Sequence, residues 1–419
     1  MDPEGEQPLL PSSSDTTARQ DTHFDAIVLG LGVMGLSACR ALALSGMNVL
    51  GLEQFDLGHR HGSSHGSSRL FRKAYFEHPN YVSLAQRAEE GWRELERDMG
   101  ETLFNACGLL SIGPADSELI RGTLHSASLH NLRCEKLDLP EVSSRFPGID
   151  ATAWPGMTTL FEAEAGYIYA ERAIDALAES ARKHGAAIMD ATHVSHWQEE
   201  ADCVRVLTES GEFTADRLII TAGPWSTTLL TGVGVSMSIV RKLVFWFLPA
   251  RPELATPDKL PCYATQLQEG FYYGVPDNGD VAEDGVKIAR HDTPDDILHT
   301  ANLTSPEEMS VDGRVDEQYE LEAPRVELVA RKLLAPCLLS EEQPDLLPGH
   351  MGVCQYTLSP DGDFIIDRIP GSSRVVFGAG FSGHGFKFAP AIGEVLAAMA
   401  RGEKTPVDVG FLGLNRITK

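Results

Sequence analysis

Asp25-Ala-Ile-Val-Leu29, Gly30-Leu-Gly32-Val-Met-Gly35, Leu36 to Ser45, Gly46, and Met47 to Leu52 closed by Glu53 follow one another without interruption. The first five residues are a short apolar run suited to a buried parallel strand. Three spaced glycines come next, and Leu36 to Ser45 then carries apolar residues at helical spacing up to the stop at Gly46. A second apolar strand ends at an acid. Strand, glycine turn, helix, strand and acid in this order form a mononucleotide-binding unit in which each part has a task. Gly30 makes the tight turn, Gly32 lets the backbone approach a pyrophosphate, and Gly35 lets the helix pack closely on the strand. Val33 and Met34 lie at the helix N-terminus, whose free N–H groups face the phosphates. Glu53 stands where a carboxylate accepts hydrogen bonds from a ribose, which disfavours a 2′-phosphate and therefore NADP. FAD and NAD both remain open at this point.

Outside this unit, length and charge set bounds. A chain of 419 residues holds two or three domains' worth of material. The net charge of −25 repels nucleic acid and anionic membrane surfaces, so neither is expected as a partner. No apolar run has the length of a membrane-spanning helix. Met1 to about His23 is rich in Ser, Pro, Asp and Glu without apolar periodicity and reads as a disordered tail. It has neither the apolar core of a secretory signal nor the arginines of a mitochondrial presequence, and the C-terminal Ile-Thr-Lys is not a peroxisomal address. The cytoplasm is the expected location. Seven cysteines lie scattered without Cys-x-x-Cys pairs, as in a reducing compartment, and no metal site is expected.

The pattern along the chain alternates. A polar loop, Gly58 to Ser68, precedes an amphipathic helix from about Tyr81 to Met99, and Leu109 to Gly113 reads as a strand. Ala170 to His184 has helical spacing, Ala186 to Met189 and Val204 to Leu207 read as strands, and Leu218 to Gly223 is a buried strand ending in small residues. From about Met237 to His350 the texture is one of short strands and acidic loops, with a helical stretch near Val326 to Leu334. Arg374 to Gly380 restores the strand and glycine signature, and Pro390 to Met399 reads as the helix behind it. The expected fold is therefore an α/β Rossmann-like nucleotide domain with an inserted, β-rich, mixed-sheet substrate domain. Residues 24–103, 166–236 and 361–419 are assigned to the first, and 104–165 and 237–360 to the second.

Three clusters carry candidate chemistry. Gly62-Ser-Ser64-His65-Gly-Ser-Ser68-Arg69-Leu-Phe-Arg72 sets an imidazole and two guanidiniums among small hydroxyl residues, a donor set matched to phosphates or a carboxylate. A flexible serine-rich loop with surface arginines has the same composition. Gly378-Ala-Gly380-Phe-Ser-Gly383-His384-Gly385-Phe386-Lys387 suits close backbone approach to a flat ligand with a cation nearby. Gly352-Val-Cys354-Gln-Tyr356-Thr contains a single thiol, which composition alone reads as a small buried hydrophobe.

In this order, together with Tyr75, Thr221-Ala-Gly-Pro-Trp225, Tyr272-Tyr273-Gly, Val286-Lys287 and Asp363-Phe-Ile-Ile-Asp367, these motifs resemble the monomeric sarcosine oxidase family. That family includes N-methyltryptophan oxidase and the pipecolate-oxidising sarcosine oxidases. The resemblance runs from about Phe24 to Arg416. It implies FAD, attached through its 8α-methyl group to the sulfur at Cys354, with Gly30, Gly32, Val33, Met34, Gly35, Glu53, Ser64, Ser68, Arg69, Val194, Gly380, Gly383, Gly385 and Lys387 about the cofactor. It implies that Arg72 and Lys387 bind the substrate carboxylate, and that Arg69 and Lys287 lie against the flavin, Lys287 assisting the reaction with oxygen. His65, Tyr273, His291 and Tyr356 match family positions lining the substrate pocket. Some relatives have His at position 64 and Asp-Thr at Ser67-Ser68, a departure that alters phosphate contacts or the pocket.

The activity so implied is oxidation of a secondary amino acid, sarcosine or another N-methyl amino acid, to an imine. Oxygen is reduced to hydrogen peroxide, and hydrolysis gives a primary amino acid and an aldehyde. Two cations on the carboxylate orient the C–H bond, and a lysine near the flavin stabilises superoxide-like charge. The alternatives are a cyclic substrate such as pipecolate or proline, a dehydrogenase passing electrons to a carrier, and a non-catalytic FAD-binding protein. An NAD dehydrogenase is disfavoured because it leaves Cys354 and the Gly378 to Lys387 loop without a role. The resemblance leans towards a monomer.

Overall fold

The computed structural model describes residues 23–279, 285–293, 295–310 and 314–417. Residues 1–22 of the expected tail lie outside the described residues, whereas His23 opens the first strand and bonds the Thr214 hydroxyl at 3.0 Å. The nucleotide unit forms as its pattern dictates, with strand His23–Leu29, helix Val33–Leu44 and strand Val49–Leu52. Alternation along the first strand serves two cores. Ala26 and Val28 join a helical core with Leu36, Leu42, Trp92 and Ile392, while Ile27 and Leu29 face a second core with Val204, Val206 and Phe377.

The first sheet has a parallel centre ordered Ala187–Met189, Val49–Leu52, His23–Leu29, Gly211–Ile220, Val375–Ala379. Such an arrangement binds ligands beyond the carboxyl ends of its strands. The long strand Gly211–Ile220 serves two neighbours along one edge. Gly211–Ala215 pairs with Val204–Thr208 in an antiparallel meander, and Leu218–Ile220 pairs with Val375–Phe377. Helices Val33–Leu44, Tyr81–Met99, Ala170–Lys183 and Ala389–Arg401 pack together over the sheet, and Gly91 and Gly393 are the close-approach points among them.

The second sheet is built around strand Ser238–Leu248, paired along its length with Leu347–Leu358 and on its other edge with Val286–Arg290. It continues through Gly270–Val275 and Cys262–Leu267, then through a parallel step to Leu109–Gly113 and on to Thr158–Glu162. A small third sheet joins Ser68–Phe71, Gly166–Tyr169 and Phe104–Asn105.

The helix Tyr81–Met99 and the strand Leu109–Gly113 form with the bounds that periodicity predicts. The middle of the chain differs from its expected texture. Ser238–Leu248, which carries Trp246, is eleven residues long rather than short, and Tyr273 sits on the strand Gly270–Val275. Helix Arg314–Leu333 starts well before Val326. Its first half is acidic and Pro324 stands at its middle, a combination that hides a helix from apolar periodicity.

Candidate active site

A cavity of about 680 Å³ begins at the carboxyl ends of the parallel strands, at Leu29, Leu52 and Thr221, and runs to the second sheet at Trp246, Tyr273 and Lys287. Nearly every candidate residue lines it. At the nucleotide end these are Gly30, Gly32, Val33, Met34, Glu53, Ser64 and Val194; at the other end they are His65, Arg69, Arg72, Tyr273, Lys287, His291, Cys354, Tyr356, Gly380, Gly383, Gly385 and Lys387. Gly35 and Ser68 are the two candidates that do not line the cavity. Gly35 has the packing task foreseen for it, since a Cβ there meets the Gly30 carbonyl oxygen at 1.9 Å. Ser68 lies buried in its strand with its hydroxyl facing no partner.

The nucleotide end fits a dinucleotide pyrophosphate. Gly30 has φ +86, the left-handed conformation a tight turn requires. Gly32 caps the helix with no side chain and the first turn carries no acid, so the positive end of the helix dipole is open to an anion. Ser64 reaches over this turn and accepts a hydrogen bond from the Val33 N–H at 3.2 Å. Glu53, buried, accepts from the N–H groups of Leu31 at 2.8 Å and Phe55 at 3.2 Å, with His59 3.4 Å away. The acid therefore also fixes the glycine turn.

At the far end the Tyr75 ring carries two cations, with Arg72 Cζ 4.1 Å and Lys387 Nζ 5.1 Å from its centroid. Lys387 donates to the Tyr75 hydroxyl at 3.3 Å and to the His384 carbonyl at 2.7 Å. The Tyr75 hydroxyl lies 2.6 Å from His384 Nδ1, and His384 Nε2 lies 3.1 Å from the Gly362 carbonyl. Since a carbonyl only accepts, Nε2 holds the proton and Nδ1 accepts from Tyr75. Burial holds the His384 pKa down at about 3, consistent with that neutral tautomer. Burial, and then Arg72, lowers Lys387 to about 7.

Glu77 lines the same end and was not foreseen. Its two oxygens lie 2.6 and 2.8 Å from Arg72 Nη2, while Arg72 Nη1 is buried without a partner. Burial pushes the Glu77 carboxyl up, but the Arg72 guanidinium holds it below the ordinary range. Periodicity cannot reveal such an acid, and its one sequence signal is its position five residues beyond Arg72 in a turn dense in charge and aromatic rings.

On the second sheet, Lys287 donates to the Gly66 and Ser68 carbonyls at 2.6 and 2.8 Å, 5.0 Å from the Trp246 ring. Arg69 donates to the Ser63 carbonyl at 2.9 Å and the Ser68 carbonyl at 2.8 Å, and also to that of His65. One cationic pair thus ties the Gly62 to Ser68 loop to the sheet, so the loop has a fixed course. His65 and His291 are neutral at ordinary pH. Burial and Arg69 lower the first to about 3, and burial and Lys242 the second to about 4. The Tyr356 hydroxyl lies 3.4 Å from His291 Nδ1, and burial pushes both Tyr273 and Tyr356 up, keeping them protonated. Cys354 lies on the strand Leu347–Leu358 beside Tyr356, facing the cavity and nearly buried.

A dinucleotide cradle that opens onto a cation-lined pocket on a second, mixed sheet defines a flavin-dependent oxidoreductase. The chain belongs to the family of FAD dependent oxidoreductases, whose pattern it matches over residues 25–399. It is 34% identical over 409 residues to monomeric sarcosine oxidase of Bacillus sp. (strain NS-129), covering 94% of this chain and 97% of that one. It is 31% identical over 397 residues to N-methyl-L-tryptophan oxidase of Yersinia pestis (strain Pestoides F), covering 94% and 99%. Among solved structures, NikD, an unusual amino acid oxidase essential for nikkomycin biosynthesis, superposes with a TM-score of 0.77 at 23% identity, over 93% of this chain and 97% of that one. The chain is therefore an FAD-dependent oxidoreductase, similar along nearly its whole length to enzymes that oxidise N-methyl amino acids.

Proposed function

We propose that this protein oxidises an N-methyl amino acid such as sarcosine to its imine, passing the electrons to oxygen. Water then hydrolyses the imine to a primary amino acid and an aldehyde, and hydrogen peroxide is the second product. The observation that carries this reading is the pair of cations on Tyr75, Arg72 and Lys387, at the far end of a dinucleotide cavity. Two cations there match a carboxylate held in one orientation. FAD, when bound, supplies the two-electron acceptor.

The chain's own residues account for the rest. Arg69, Arg72, Lys287 and Lys387 surround the substrate end, and like charge disfavours an ammonium there, so the amine is held in the neutral form that can be oxidised. His65 and His291 add no charge of their own. Tyr273 and Tyr356 offer hydroxyls to the substrate, and Lys287 with Arg69 places positive charge where oxygen acquires electrons. Cys354 holds the covalent link to the flavin in this reading. The chain acts as a monomer, as the names of four relatives state of themselves. The seven free cysteines agree with a cytoplasmic setting.

A panel of N-methyl and cyclic amino acids scored for peroxide release tests the proposal. The N-methyl compounds should give substrate-dependent peroxide. No signal from any carboxylate-bearing secondary amine sinks it, and anaerobic bleaching with slow recolouring in air points to a dehydrogenase instead.

A further inference from the structure

The sulfur atoms of Cys107 and Cys262 lie 3.8 Å apart, with Cys262 fully buried and Cys107 partly exposed. The chain around them is closely held. Cys262 opens the strand Cys262–Leu267, in register with Leu109, and its N–H donates to the Gly108 carbonyl at 3.1 Å. Gly108 has φ +86, and a Cβ there would meet the Phe161 ring at 2.4 Å, so the backbone next to Cys107 packs closely on the strand Thr158–Glu162. A disulfide needs the sulfurs at about 2.05 Å, a further approach that side-chain rotation and a small loop movement supply.

We propose that Cys107 and Cys262 form a modification site that peroxide closes to a disulfide just behind the cavity wall. The Cys107 sulfur attacks one peroxide oxygen, the O–O bond breaks, and the departing hydroxide leaves as water once protonated. Cys107 is then a sulfenic acid. The Cys262 sulfur displaces its hydroxyl, which leaves as a second water, and the S–S bond forms. Peroxide gains two electrons and each sulfur gives one. The roles follow from the surroundings: the hydrogen bond from Cys262 holds the Cys107 thiol below its usual range against the effect of burial, and burial pushes Cys262 well up.

The site is coupled to the cavity. Cys107 packs with Leu70, Phe76 and Phe271 against the cluster holding Cys262 and Ala264. Phe76, Phe271 and Ala264 line the cavity, and the Phe76 and Phe271 rings are 5.4 Å apart. Drawing Cys107 and Cys262 together therefore moves the apolar wall of the substrate end. That the oxidant arises on this protein rests on the function proposed above; the chemistry of the pair does not.

Holoenzyme without amino acid is exposed to added hydrogen peroxide, quenched with an alkylating agent and mapped by mass spectrometry. The expected result is one cross-linked peptide pair joining Cys107 to Cys262, cleaved by dithiothreitol, with Cys39, Cys134, Cys203 and Cys337 alkylated and Cys354 carrying the flavin. KM for the best amino acid should rise at least threefold on oxidation and return on reduction, and Cys107→Ser should show neither effect. Alkylation of both thiols after peroxide, or a sulfinic acid at Cys107 with Cys262 alkylated, overturns the proposal. In Cys262→Ala, a dimedone-type probe should capture the stranded sulfenic acid at Cys107; the wild-type map decides if that variant does not fold. A parallel arm supplies a secondary amino acid and air in place of peroxide. The cross-link with added peroxide but not in this arm overturns the oxidase reading and leaves the modification site standing.

Discussion

Glu77 holds Arg72 by one nitrogen and leaves the other, Nη1, buried and unpartnered. The arginine proposed to hold a substrate carboxylate is thus half occupied by a carboxylate of its own chain. Glu77→Gln removes the competing charge and leaves a buried guanidinium seeking an anion, which costs the free protein about 3 kcal/mol or more. Kd for a non-oxidisable carboxylate ligand should fall about tenfold, which is ~1.4 kcal/mol. Unchanged or weaker binding, read from flavin spectral shifts, shows instead that Glu77 only scaffolds Arg72.

In its proposed role Lys387, with its pKa near 7, would give carboxylate binding a pH dependence. Below that value the ammonium form prevails and binds the anion; above it the neutral amine does not. Affinity for the same ligand should be flat at low pH and fall as pH rises through about 7, losing up to about tenfold per pH unit. The protein's own stability moves the other way. Between about 7 and the ordinary lysine range the unfolded chain binds this proton and the folded one does not, so stability rises with pH there. Lys387→Met should flatten both profiles, and a wild-type Kd constant from about pH 6 to about pH 9 refutes the assignment.

How much of this site was legible depends on how local each signal was. The cradle from Phe24 to Glu53 was legible, because strand, glycine turn, helix and acid are adjacent in sequence and each obeys a fixed spacing, although His23, read as tail, opens its first strand. The Gly378 to Lys387 loop was legible as a ligand approach, and its partners were not. That Lys387, His384 and Tyr75 share one chain of hydrogen bonds requires residues more than three hundred positions apart to meet. Glu77 and the Cys107 and Cys262 pair escaped notice for the same reason. An isolated acid or thiol has no periodicity, and its meaning comes from what the tertiary fold sets against it. The long strand Ser238–Leu248 was missed because Arg241 and Lys242 interrupt its apolar run, although both are buried and paired, Arg241 Nε to Gln318 at 2.9 Å and Lys242 Nζ to Thr293 at 2.6 Å.

Cys354 faces the cavity from a strand hydrogen-bonded along its length to Ser238–Leu248, so the sulfur is held in place on a rigid support. A covalent flavin link there should survive acid precipitation of the wild-type protein, leaving a yellow pellet. Cys354→Ala should release the flavin into the supernatant while the cradle still binds it at neutral pH. Flavin washing free of the wild-type pellet rules out the tether.

Gly35, in the first turn of the first helix, and Gly46, just past its end, separate two costs that sequence alone treats as one. At Gly46, φ is +82 but nothing stands within 4 Å of an added Cβ, so Gly46→Ala meets only the left-handed backbone penalty, about 1–2 kcal/mol. At Gly35 a Cβ would lie 1.9 Å from the Gly30 carbonyl oxygen and 2.7 Å from the Thr221 hydroxyl. The helix must then lift off the strand at the turn proposed to hold the pyrophosphate, so Gly35→Ala should cost more than the ~1–3 kcal/mol of ordinary overpacking. Flavin content and denaturant midpoint, measured together, distinguish the two. Gly46→Ala should retain full flavin with a modest midpoint shift, and Gly35→Ala should lose both flavin and stability. Equal flavin content in the two variants would mean that close packing of helix on strand is not what shapes the phosphate end of the cavity.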